Sequence, residues 1–130
     1  MKTIYENGFL DQYLGTALWS SSYLDENDEM QDMDREFSID DFAQDAIELA
    51  TKDCEKFIGL VPTKFLIDLD DDEITQIAHD FWLTRNGHGA GFWDGDYEPE
   101  TEKVLMEAVK EFKECNVCIG DDKLLYLFDG

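Results

Sequence analysis

Apolar residues recur at helical spacing in four stretches of the chain and at strand spacing near its end. Over residues 7–21, Phe9, Leu10, Tyr13, Leu14, Ala17 and Leu18 mark one buried face, with Asn7 placed to cap the helix. A longer run carries Ile39, Phe42, Ala43, Ala46, Ile47, Ala50, Cys54, Phe57 and Ile58. Ser38 and Asp41 offer it a capping box, and Gly59 and Pro62 a stop. Ile74, Ile77, Ala78, Phe81 and Trp82 line a third helix, opened by a second capping box of Asp70 and Glu73 and ended at Asn86-Gly87. Asp71 and Asp72 suit its N-terminus through the helix dipole. Pro99 opens the fourth helix, with Val104, Leu105, Ala108, Val109 and Phe112 pointing inward. Its outer face is of mixed sign, with Lys103, Glu107, Lys110, Glu111 and Glu114.

The intervening segments lack such periods. Asp25 to Glu36 holds seven acids, one Arg and two Met, with neither helical nor strand spacing, and reads as a solvated loop. Phe65, Leu66 and Ile67 suggest a helical turn or a buried connection, and Gly87 to Asp96 reads as a loop. Val117–Ile119 and Leu124–Phe128 flank Gly120-Asp121-Asp122-Lys123 as a β-hairpin. The predicted class is α+β: about four helices packed with a small antiparallel sheet that includes this C-terminal β-hairpin, in one domain over residues 1–130. Such a hairpin needs helices to pack on, because two strands alone are marginal in water.

Composition sets an ordinary core under an unusual surface. Hydrophobic residues are 43% of 130, with seventeen aromatic rings, enough to fold rather than to form an acidic tail. Yet 32 acids face 10 Lys and Arg, for a formal charge of −22. Residues 1–50 hold 13 acids and 2 bases, residues 51–100 hold 12 and 4, and residues 101–130 hold 7 and 4, so the field comes mainly from the first two thirds. Direct binding of nucleic acid or an anionic membrane is not expected, since both need a basic footprint. The apolar runs are too short to span a bilayer, and the first residues lack the apolar core of a signal peptide. Cys54, Cys115 and Cys118 are an odd set, read as reduced thiols of a cytoplasmic protein.

Motifs for chemistry are incomplete. Asp68, Asp70 and Asp72 begin like a calcium loop, but Glu73 stands where glycine is needed and His79 where the closing Glu belongs. Asp94, Asp96 and Glu98 lack a closing carboxylate. Cys115 and Cys118 have zinc-knuckle spacing without a second pair, although His79 and His88 could supply ligands. Strand alternation is expected to turn Cys118 inward as a core residue. Gly87-His88-Gly89-Ala90-Gly91 is not a phosphate-cradle spacing, and the serines Ser20, Ser21 and Ser22 lack a nucleophile elbow. No cofactor and no enzymatic activity are expected. The densest chemistry is Arg85, His88, Trp93 and Asp94 around the glycine loop, which makes a pocket for a small ligand, nucleotide or metal the second expectation.

The stretch His79-Asp80-Phe81-Trp82-Leu83-Thr84-Arg85-Asn86-Gly87-His88-Gly89-Ala90-Gly91-Phe92-Trp93-Asp94 resembles small acidic proteins encoded by bacteriophages and prophages. The likeness extends weakly through residues 13–21, Asp53-Cys54 and Gly120-Asp121-Asp122. That group has no settled activity, so the resemblance transfers no catalytic residue. It implies an accessory protein acting inside a bacterial host, where small acidic phage proteins often block DNA-processing or defence proteins such as restriction or CRISPR systems. The leading expectation is therefore an inhibitor that offers carboxylates to the basic cleft of a nucleic-acid-binding host protein. Its contact residues are expected to be Asp25, Glu26, Asp28, Glu29, Asp32, Asp34 and Glu36, continuing through Asp40, Asp41, Asp45 and Glu48. A third expectation is an assembly protein with a Trp- and Met-lined interface.

Overall fold

A computed structural model describes residues 8–67, 69–87, 92 and 97–129. The chain runs α1 (Phe9–Trp19), β1 (Ser22–Leu24), β2 (Met30–Asp32), the short α2 (Met33–Glu36), α3 (Gln44–Leu60), α4 (Asp71–Arg85), α5 (Pro99–Val109), β3 (Cys115–Ile119) and β4 (Leu125–Asp129). Single 3-10 turns at Ile39–Asp41 and Thr63–Phe65 flank α3. Among the described residues, four long helices and two antiparallel two-stranded sheets make the α+β architecture, with the C-terminal hairpin in place.

Local chemistry explains most boundaries, and corrects several expectations. Asn7 lies outside the described residues; the cap of α1 is Gly8, whose φ of 90° is a left-handed conformation that glycine adopts without strain. The Ser38–Asp41 capping box forms, but it closes only the Ile39–Asp41 turn. Phe42 and Ala43 then run extended, so the long helix starts at Gln44, later than its apolar spacing suggests. The break is tertiary in origin: the Ala43 amide donates to the Leu125 carbonyl (2.9 Å), and Phe42 bridges to Leu125 of β4. Gly59 is inside α3, and Val61 with Pro62 ends it. The Asp70–Glu73 box closes reciprocally at the start of α4. Of the two readings for Phe65, Leu66 and Ile67 the helical turn holds, a 3-10 turn over Thr63–Phe65, with Phe65 and Leu66 half-buried against the core and Ile67 exposed.

The acidic run 25–36, expected to be a solvated loop, is mostly exposed but carries regular structure, a hairpin tip and a helical turn. Ser22 pairs with Asp32, Tyr23 with Gln31 and Leu24 with Met30. Asp25 organises the tip, accepting from the amides of Asn27 (2.8 Å) and Glu29 (3.0 Å) and from Gln31 Nε2 (3.0 Å). Periodicity missed it because three-residue strands are too short to show alternation.

The core centres on α4, which packs most extensively on α1. Phe57 of α3 stacks on Phe81 of α4 at 4.1 Å between ring centroids and 11° between planes, with Phe92 (5.9 Å) and Phe9 (6.4 Å) extending the stack. In the C-terminal hairpin Cys115 pairs with Asp129, Val117 with Leu127 and Ile119 with Leu125. Its inward face carries Cys115, Val117, Ile119, Leu125 and Leu127 against the helices. Cys118 is therefore on the outer face, contrary to expectation, beside Tyr126 and exposed Phe128. At Gly120 a Cβ would lie 2.5 Å from the Tyr126 ring, so a side chain there requires that ring to move.

Candidate functional site

The eleven carboxylates expected to face a partner lie on consecutive elements: the β1–β2 hairpin, α2, the Ile39–Asp41 turn and the first turns of α3. Glu26, Asp28, Glu29, Asp32, Asp34, Glu36, Asp40, Asp45 and Glu48 are exposed. The two half-buried ones, Asp25 and Asp41, are those whose oxygens are taken by local backbone, Asp41 accepting from the Ser38 amide at 2.8 Å. The amides of Glu29 and then Asn27 hold the Asp25 carboxyl below its usual range, so it stays charged while shaping the tip. Among the described residues none of the eleven is in an ion pair. Asp45 and Glu48, one turn apart on α3, place their Cβ atoms about 5–6 Å apart.

Beside this surface a groove of about 650 Å³ opens between the hairpin and the β3–β4 turn. Tyr23, Phe37 and Ile119 supply its apolar wall, and Asp25, Glu26 and Glu36 its carboxylates. Tyr23 and Phe37 meet edge to face at 5.7 Å. Desolvation, then the Glu36 and Asp25 charges, raise the Tyr23 hydroxyl above the ordinary tyrosine value.

Arg85, expected at a ligand pocket, is instead 5% exposed and occupied within the core. Its Nε donates to the Lys113 carbonyl (2.9 Å), and its Nη1 donates to Tyr13 Oη (2.8 Å) and to Asp53 Oδ2 (2.8 Å). The guanidinium also lies over Phe112 (5.1 Å) and Phe81 (5.8 Å). Burial opposes its charge, but Tyr13 and Asp53 outweigh that and hold its pKa above the usual value. His88, Trp93 and Asp94 lie outside the described residues, as do the remaining glycines of that loop and Asp68 and Asp96. Phe92, between them, is fully buried, and its amide donates to Thr84 Oγ1 at 3.0 Å.

Sequence reasoning missed the polar interior of α4. Asp80 is buried and accepts from Gln76 Nε2 (2.9 Å) and Tyr97 Oη (2.8 Å). His79 Nδ1 meets Thr16 Oγ1 at 2.9 Å, under the ring of exposed Trp19. Trp82 Nε1 donates to Ser20 Oγ (2.8 Å), which gives the first of the three serines an anchoring role. The one available signal was the density of polar residues on a helix whose apolar stripe is already complete.

Cys115 and Cys118, three apart on a strand, point to opposite faces, so both cannot reach one metal from β3. Among the described residues no group of three or more His, Cys, Asp or Glu is placed to hold a metal ion. Also among them, no helix is long and apolar enough to cross a membrane. Burial raises Cys54 and Tyr13 well above their ordinary pKa values, Arg85 partly opposing this at both. The native state therefore keeps both protons after the unfolded chain releases them. That stability is full below the unfolded pKa values and is lost as pH rises toward the folded ones. Thermal melts between about pH 7 and pH 11 are expected to show a falling Tm from about pH 9 upward. A Tm level to the top of that range would contradict the burial of these two groups.

Protein-family models, curated proteins and solved structures were compared with the chain, and none matches.

Proposed function

We propose that this protein is a phage-encoded inhibitor that works in the cytoplasm of the bacterial host, binding the basic cleft of a nucleic-acid-binding or defence protein. The observation that carries the proposal is the set of nine exposed carboxylates between Glu26 and Glu48, none of them in an ion pair among the described residues. Unneutralised charge destabilises a compact chain by self-repulsion, and a basic partner relieves it. Duplex DNA offers a protein about one charge per 1.7 Å of axis. Carboxylates one helical turn apart, at about 5–6 Å between Cβ atoms, are spaced more widely than that, and the hairpin carboxylates add their charge to the same field. They also sit on ordered elements, so little conformational entropy is lost on docking. Steering by this field favours fast, salt-sensitive association. No catalytic step is needed for such a role.

Tagged protein incubated with bacterial lysate is expected to retain a nucleic-acid-binding protein that salt or added duplex DNA releases. The paired reversals Glu26→Lys/Glu29→Lys and Asp32→Lys/Asp34→Lys are each expected to weaken that complex by about tenfold or more. A partner that resists high salt and tolerates both pairs would overturn the proposal and assign the acids to solubility.

A further inference from the structure

The groove between the β1–β2 hairpin and the β3–β4 turn joins an aromatic and an acidic surface. An aromatic pair, Tyr23 and Phe37, forms one wall, and Glu26 and Glu36 stand beside it, exposed and outside any ion pair among the described residues. Asp25, also at the groove, is committed to holding the hairpin tip. Carboxylates repel an anion, and a wholly apolar ligand would strip them of water without compensation. A guanidinium answers both surfaces. It is planar and weakly hydrated, it packs on aromatic faces, and it pairs with carboxylates through a fork of donors.

We infer that this groove receives an arginine side chain of the basic partner, packed against Tyr23 and Phe37 and paired with Glu26 and Glu36. The inference rests on the acidic-surface reading above and adds a chemical preference to it. A lysine satisfies the carboxylates alone, because its compact, strongly hydrated ammonium gains less from the rings. The volume of about 650 Å³ also accommodates the residues flanking that arginine, so an extended basic segment fits. Lys123, at the groove from the β3–β4 turn, opposes the incoming cation.

The test uses the full chain with fluorescently labelled nona-arginine and nona-lysine, two probes of equal charge. At about 30 mM salt, where surface charges are weakly screened, both peptides are expected to bind, nona-arginine about fivefold or more tightly. Tyr23→Leu, which keeps apolar volume but removes the ring, is expected to abolish that preference and leave nona-lysine within about twofold of its original affinity. Tyr23→Phe, which retains the ring, is expected to preserve the preference and serves as the folding control. Glu48→Gln, away from the groove, is expected to weaken both peptides alike. Equal affinities, or a preference that survives Tyr23→Leu, would overturn the groove and leave the acidic surface standing. Binding of neither peptide would overturn both readings.

Discussion

Asp53→Ala is expected to destabilise the fold by about 3–5 kcal/mol, because it leaves the buried Arg85 guanidinium without its counter-charge. The Arg85 side chain is 1% exposed and that of Asp53 13%, so water offers little replacement. Tyr13 and the Lys113 carbonyl would still accept from the guanidinium, but neither carries a formal charge. Urea denaturation of the two proteins measures the difference directly. The double variant Asp53→Leu/Arg85→Met should recover part of the loss, since an apolar pair of similar volume often replaces a buried ion pair at little cost. Recovery will be incomplete, because the Lys113 carbonyl and Tyr13 hydroxyl lose a donor worth about 1–3 kcal/mol when left unsatisfied. A loss below about 1 kcal/mol for Asp53→Ala would mean the pair behaves like one on the surface.

Phe57→Ala should be comparably damaging, at about 3–5 kcal/mol, for a different reason. Phe57 is fully buried at the junction of α3 and α4, and its ring contacts Phe9, Phe81, Phe92 and Phe112. Truncation removes a large transfer term and opens a cavity that four rigid rings cannot readily collapse into. Differential scanning calorimetry should place Tm about 10–20 °C lower for a chain of this size. Phe57→Leu keeps most of the volume and is expected to cost under about 1.5 kcal/mol. Equal effects for Ala and Leu would indicate that ring geometry, not cavity volume, controls the site.

These two sites differ in how legible they are from the chain. Phe57 falls on the apolar stripe of a regular helix, so its burial follows from spacing alone. Arg85 resembles a ligand-binding cation because its sequence neighbours are glycines, a histidine and a tryptophan. Its actual partners are 72 residues away at Tyr13 and 32 away at Asp53. Similarly, the Ser38–Asp41 box is a correct local signal attached to the wrong helix, since a hydrogen bond to Leu125 diverts the backbone at Ala43. The acidic surface stands between these cases. Its charge is evident in the composition, while the division into nine exposed carboxylates and two turn-building ones depended on which oxygens meet backbone amides.

By itself, then, the sequence determined the four long helices, the α+β class, the C-terminal hairpin and the excess of negative charge, because each arises from spacing or composition within a short window. Only the tertiary structure decided that acids 25–36 form a hairpin tip and a helical turn, that Arg85 is internal, and that Cys118 faces outward while Cys115 is buried. It alone brought Tyr23 and Phe37 to the same groove as Ile119. Those outcomes turn on contacts between distant segments, where packing and buried hydrogen bonds override what any local pattern can specify.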